Sequence, residues 1–244
     1  MKKWYLAIPV IVVLAVLIAL WEISRSRTFQ FFGQIFPRVE TSQKVVALTF
    51  DDGPTEDAVN QLLPVLDEQQ VHATFFVIGA ELEKNMAAGR RIVAAGHELG
   101  NHSYSHERMV FVTPGFVRQE VETTDQLVRE AGYQGEILFR PPFGKKLFAL
   151  PHYLARTGRK TITWDLEPDS YPDVAADANK ITQYCMANVR PGSIFLLHVM
   201  YGSRSESMKS VRGVIQGLKQ NGYALKTVSE LLALEPANSL GAAR

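Results

Sequence analysis

The sequence is short of cysteine, of net charge and of any repeated pattern. One cysteine, Cys185, in 244 residues rules out a disulfide framework and leaves no partner for pairing within the chain, which is compatible with an oxidising compartment. Lysine and arginine number 26 against 25 aspartates and glutamates, with no basic stripe. A phosphate-binding surface needs clustered cations, so nucleic acid is not an expected partner. Repeats of fixed period and low-complexity stretches are also missing, which removes solenoids and propellers. Apolar residues are plentiful at 46%, too many for a disordered chain and enough for a large core. The length falls between the usual sizes of one domain and two, a range that α/β barrels reach as a single unit.

Charge is scarcest at the N-terminus, where eighteen uncharged residues run from Trp4 to Trp21 behind Met1-Lys2-Lys3. At about 1.5 Å per residue such a helix spans roughly 27 Å, close to the hydrocarbon thickness of a bilayer. A secretory signal peptide is the rival reading. Ala19-Leu20-Trp21-Glu22 makes a poor cleavage site, which favours an uncleaved anchor over residues 1–22. Lys2, Lys3 and the amino terminus hold the start in the cytoplasm, opposed by Arg25 and Arg27, so the body is expected on the extracytoplasmic side. Residues 23–43 are expected as a juxtamembrane linker, although Phe29, Phe31, Phe32 and Phe36 leave open an interfacial aromatic belt or a segment packed on the domain. The tail 236–244 is small and polar and is expected to be flexible.

From Lys44 onward, β-branched and aromatic runs alternate with stretches of helical period, the pattern of β-α units around a parallel sheet. The candidate strands are Val45–Phe50, Ala73–Val77, His97–Gly100, Ile137–Arg140, Thr161–Trp164, Ser193–His198 and Tyr223–Leu225. Between them, Val59, Leu62, Leu63 and Leu66, and again Met208, Val211, Ile215 and Leu218, keep the spacing of helices with one buried stripe. One domain over residues 44–235 is the economical reading. Cys185 falls in a helical stretch and is expected as inert core.

Chemistry gathers where these strands end. Asp51-Asp52-Gly53-Pro54 leaves the first strand. By itself it reads as a turn with an aspartate capping the helix near Thr55, but adjacent carboxylates repel unless a cation lies beside them. His102 and His106 are four apart, so one helical turn places both imidazoles on one face. Added to an aspartate they make three protein ligands with positions left open for water and substrate. Arg140, Trp164 and His198 close three later strands. Singly they read as a salt bridge, a core indole and a satisfied core histidine. Together they match the mouth of a parallel α/β barrel, where polar groups from several strand ends converge. Asp165 and Asp169 line a groove or cap a turn and stay unassigned, and His72, His97 and His152 are read as structural or surface residues.

Thr49-Phe50-Asp51-Asp52-Gly53-Pro54, His102-Ser103-Tyr104-Ser105-His106, Arg140-Pro141-Pro142-Phe143 and Leu196-Leu197-His198, in this order and spacing, resemble the polysaccharide deacetylase family, the NodB-homology carbohydrate esterases. The resemblance covers about residues 44–235. It implies a distorted (β/α)7 barrel, here behind a single N-terminal transmembrane helix. It also implies a hydrolase acting on carbon–nitrogen bonds other than peptide bonds, which removes acetyl groups from an amino-sugar polymer such as peptidoglycan or a chitin-like glycan at the cell envelope. Asp52, His102 and His106 would hold one divalent ion, Zn2+ or alternatively Co2+, Ni2+ or Mn2+. Asp51 would be the general base, oriented by Arg140, and His198 the general acid. The backbone N–H of Phe143 would help hold the oxyanion, and Leu196 would touch the acetyl methyl. Trp164 joins the substrate-binding set. In the fourth motif Glu167 and Tyr171 stand where many members carry Asp and Trp, so Glu167 is the expected partner of His198 and Tyr171 the expected wall of the acetyl pocket. Two alternatives stay open: a weakly catalytic glycan-binding envelope protein of the same fold, and an O-deacetylase.

Overall fold

In the computed structural model, which describes residues 4–235, the chemistry-bearing strand Val45–Asp51 (β2, after a short β1 at Ile35–Phe36) is buried along its whole length. Neighbours cover it on both sides. Thr74–Val77 (β3) and Ile194–His198 (β6) pair with it in parallel, Glu98–Asn101 (β4) extends the sheet beyond β3, and Ala224–Lys226 (β7) pairs with its first residues. Ile35–Phe36 pairs in parallel with Thr161–Ile162 (β5). Single bridges join Asn101 to Phe139, Phe139 to Thr161, and Leu166 to Phe195. Strands buried on both faces read as unbroken apolar runs, as these do.

Side chains alternate across a strand, and the two faces enter different cores. Val46, Leu48, Phe50, Phe195 and Leu197 pack against the helices, whereas Val45, Ala47, Ile194 and Leu196 face a second core with Phe76, Leu138, Ile162 and Trp164. Asp51 shares its parity with Val45 and Ala47, and His198 with Ile194 and Leu196. The two residues are register partners. Period and pairing together therefore set a carboxylate and an imidazole side by side at the same sheet edge.

The helices follow the expected stripes. Glu56–Glu68 buries Val59, Leu62 and Leu66, and Ser205–Gln220 buries Val211, Val214, Ile215 and Leu218, with Leu63 and Met208 packed at the margins. Cys185 is buried in the helix Ala178–Asn188, and burial pushes its thiol up to about 12. The expected strand Ile137–Arg140 is reduced to the bridges of Phe139, because Pro141 and Pro142 carry no N–H with which to extend a ladder.

Trp4–Arg25 forms one continuous helix, long and apolar enough to cross a membrane, with Ile8 to Ile18 exposed. The expectations for Met1–Lys3 and for the tail 236–244 lie outside the described residues. Of the three readings left open for residues 23–43, the packed segment matches the contacts. Phe36 and Val39 are buried, and Lys146, itself buried, donates from its backbone to Ser24 O at 3.0 Å and from Nζ to Ser26 O.

Candidate active site

The turn after β2 frees both aspartates from capping. Thr55 is the N-cap of the helix Glu56–Glu68, accepting from Ala58 N, so the turn is there but neither aspartate caps the helix. Asp52 and Gly53 take left-handed backbone, φ 73° and 61°. At Gly53 a Cβ would lie 2.8 Å from the Met200 side chain, so only glycine suits the position.

Arg140 is fully buried and holds Asp51. Its Nη1 donates to Asp51 Oδ1 at 2.5 Å and Thr49 Oγ1 at 2.7 Å, Nη2 donates to Thr163 O at 3.0 Å, and the guanidinium lies 4.0 Å above the Phe76 ring. Burial raises the Asp51 pKa above the ordinary carboxylate value, and the Arg140 charge opposes it.

His102 and His106 come together, but not on a helical turn as their spacing suggested. Residues 102–106 form a loop in which Ser103 and His106 have φ of 64° and 60°. Side chains replace the missing backbone ladder. Asn101 Oδ1 accepts from Ser103 N at 2.8 Å, Ser103 Oγ from His106 N at 3.1 Å, and the buried Glu120 carboxylate from Tyr104 N at 3.0 Å and Ser105 N at 2.8 Å. His102 Nδ1 lies 2.8 Å from Arg140 O. A carbonyl only accepts, so Nδ1 carries the proton and Nε2 turns a free lone pair toward His106.

The atoms facing one another are His102 Nε2, His106 Nε2 and Asp52 Oδ1. The nitrogens are 3.2 Å apart, and Asp52 Oδ1 is 3.4 Å from His106 Nε2 and 4.0 Å from His102 Nε2. Ligands about 2.0–2.1 Å from a tetrahedral zinc stand roughly 3.3 Å from one another, so the donor set and spacing fit a divalent ion. Burial first, then the neighbouring His106, pushes His102 down to about 3, and burial likewise lowers His106. Both imidazoles are neutral near pH 7, the form that ligates metal.

Beside Asp51, on the neighbouring strand, stands His198, and here the expected partner is wrong. Asp169, not Glu167, holds it: Asp169 Oδ2 accepts the His198 backbone N–H at 2.7 Å and the Ser207 hydroxyl at 3.0 Å, and Oδ1 lies 3.2 Å from Nδ1. Burial works against a charged His198, yet the Asp169 bond and charge, with help from Asp51 and Asp52, push it up to about 9. Glu167 instead accepts from Trp164 Nε1 at 2.8 Å and Arg27 Nη2 at 2.6 Å. The short 3-10 turn Pro168–Ser170 starts directly after Glu167 and carries Asp169, so the two acids leave the backbone from different conformations. Tyr171 is also displaced. It is half exposed, leans on Tyr184 at 5.3 Å and does not line the cavity.

A cavity of about 530 Å³ joins these groups, walled by Phe143, Trp164, Leu196 and Arg27 among others. Leu196 and Trp164 are buried at its floor, and Phe143 stands exposed at its rim with φ 57°, its ring 4.6 Å from that of His106. Arg27 was not foreseen as a site residue. It stacks 4.6 Å over Trp164, and its carbonyl accepts from Thr163 Oγ1 at 2.7 Å. Arg27 lines the cavity from outside every strand-end motif, Glu120 supports the histidine loop from behind, and Asp169, left between groove and cap by its sequence, holds His198. The one hint was Pro168, which marks a turn between the two acids.

Proteins similar to this chain carry the same theme. A peptidoglycan-N-acetylglucosamine deacetylase of Bacillus cereus is 29% identical over 200 residues, 82% of this chain and 93% of that one. A chitooligosaccharide deacetylase of a Bradyrhizobium species is 31% identical over 198 residues, 76% and 90% of the two chains. Among solved structures, a CE4 family pseudoenzyme mutant with restored enzymatic activity superposes with a TM-score of 0.75 at 27% identity, over 84% of this chain and 73% of that one. A peptidoglycan N-acetylglucosamine deacetylase bound to an N-hydroxybenzamide also reaches 0.75, at 28% identity, over 82% and 94%. A family model described as polysaccharide deacetylase matches residues 38–162, the span that holds Asp51, Asp52, His102, His106 and Arg140. By that match and those identities, the chain belongs to the polysaccharide deacetylase family.

Proposed function

We propose that this protein is a metal-dependent hydrolase that removes N-acetyl groups from an amino-sugar glycan, held at the cell envelope by its N-terminal helix. One observation carries the reading: a metal-sized cage of Asp52, His102 and His106 shares a single cavity with Asp51, held by Arg140, and with His198, held by Asp169. The bridges through Phe139 and Leu166 support a distorted (β/α)7 barrel with this cavity at its mouth. The uncharged helix and its exposed apolar surface support an anchor with the body outside the inner membrane.

When bound, a divalent ion such as Zn2+ supplies Lewis acidity toward the acetyl carbonyl and acidifies water. The chain's own groups do the rest. Asp51, pinned by Arg140 and raised by burial, takes the proton of the attacking water. Oxygen adds to the acetyl carbon, and the backbone N–H of Phe143 stabilises the developing oxyanion, a contribution of about 2.7–4 kcal/mol for such a donor. His198, kept protonated by Asp169, gives its proton to the sugar nitrogen as the C–N bond breaks, a step that general acids speed by about 10²–10⁴. Acetate and a free amine leave. Leu196 and Trp164 seat the methyl group.

The test is acetate release from chitooligosaccharides and peptidoglycan with added Zn2+, compared with Asp51→Asn. Release by the native chain and its collapse in the variant are expected. Zinc uptake without acetate from either glycan overturns the reading in favour of a binding protein.

A further inference from the structure

The wall of the cavity that is built from the juxtamembrane segment is cationic, and nothing in the reaction above needs it. Arg25, the last residue of the N-terminal helix, and Lys145 line the same cavity as the metal cage. Arg108 lies close by, 4.9 Å over the Phe143 ring. These three are crowded: Lys145 is pushed below the ordinary lysine value by burial first, then by the charges of Arg25 and Arg108, with Glu22 opposing. Of the other charges at the cavity, Arg204 donates to the Asp169 carbonyl at 3.1 Å, and the rest face opposite or ligating groups. Arg27 meets Glu167, Asp51 meets Arg140, and Asp52 faces the histidines. Among the described residues Arg25 reaches only Glu22, at 3.7 Å with both side chains more than half exposed, a contact worth little in water. Such a cluster lowers its energy by taking an anion.

Its position says what carries that anion. Lys145 Nζ sits 4.6 Å over the Trp21 ring, and Trp21 ends the uncharged run. Four residues of helix separate Trp21 from Arg25, about 6 Å of rise, comparable with the headgroup layer on one side of a bilayer. Exposed aromatics adjoin this end of the helix: Phe29 lines a cleft with Glu22, Ile23 and Arg25, and Phe31, 5.7 Å from it, stacks on Phe148 at 4.9 Å. Trp, Phe and Lys grouped in this way anchor proteins at the interface. A glycan of the wall would have to descend to the membrane to reach the cage, whereas a sugar carried on a lipid phosphate is already there.

Resting on the anchored deacetylase reading, we propose that the substrate is an acetylated amino sugar joined through phosphate to a membrane lipid, with the phosphate seated on Arg25 and Lys145. The test uses the full chain in proteoliposomes loaded with Zn2+. Three acetyl donors are compared by kcat/KM: N-acetylglucosaminyl diphosphoryl undecaprenol in the bilayer, soluble N-acetylglucosamine 1-phosphate, and neutral tetra-N-acetylchitotetraose. The lipid-linked donor is expected to exceed the neutral one by about tenfold or more, the scale of one charge-assisted contact. Arg25→Glu with Lys145→Glu is expected to bring that ratio close to one, and the milder Lys145→Gln to lower it in part. Equal rates on lipid-linked and neutral donors, or a ratio that survives charge reversal, overturn the proposal while leaving the deacetylase reading intact. A soluble phosphate donor used as well as the lipid-linked one overturns the membrane source. Silence on all three donors overturns this inference, and silence on peptidoglycan as well overturns the deacetylase reading with it.

Discussion

Asp169 grips His198 twice, with one oxygen 3.2 Å from ring Nδ1 and the other on the backbone N–H at 2.7 Å. The ring can then neither rotate nor lose its proton easily. Asp169→Asn leaves burial opposed only by the more weakly acting Asp51 and Asp52, so the His198 pKa falls from about 9 toward its ordinary value of about 6.5. The alkaline limb of the kcat profile is expected to move down by about two pH units, with kcat at pH 8 lower by at least tenfold. Glu167→Gln is expected to leave that limb in place. The pH–rate profiles of the two variants check the assignment.

The same pair ties stability to pH. The folded pKa of His198 is raised, to about 9, so its contribution is complete below about pH 6.5 and is lost as pH rises through the folded value. Urea unfolding between pH 6 and 10, native chain against His198→Gln, is expected to show a difference that shrinks as pH rises.

Glu120 touches no candidate ligand, yet it accepts the two N–H groups that shape the loop between His102 and His106. Glu120→Ala is expected to weaken zinc binding by about 10–100-fold, the usual cost of losing an outer support of a metal site. Competition with a chromophoric chelator measures it. Unchanged affinity would mean that the loop keeps its shape without that carboxylate.

Arg27 and Glu167 meet at 2.6 Å with 40% and 12% side-chain exposure. Half-open pairs are screened, so a coupling of about 1 kcal/mol is expected from the cycle Arg27→Ala, Glu167→Gln and the double variant. Chemical unfolding supplies the three differences.

Tyr171 leans away from the cavity onto Tyr184. Tyr171→Ala is expected to change kcat/KM by less than about twofold, in keeping with surface changes away from a site, where a pocket wall would lose far more.

The residues that could be read from the sequence sit next to strand ends. Asp51, Asp52, Arg140, Leu196 and His198 follow from apolar runs that stop abruptly, because strand period and parallel pairing send such residues to one edge. The histidine pair was legible as a pair but not in its backbone, since spacing of four suits a helix and a pinned loop equally. Asp169 and Glu167 were interchanged because a 3-10 turn decides which acid points inward, and turn direction leaves little trace in composition. Arg27 was hidden for another reason. It reaches its partner across 140 positions of chain, and no local pattern records a contact of that range.

That long reach bears on how the protein can be handled. Trimming the chain back to Val45, to remove the apolar helix, would amputate the arginine stacked on Trp164 and strand Glu167 without its counter-ion. Kinetics measured on such material would describe a different catalyst from the one that keeps residues 23–44.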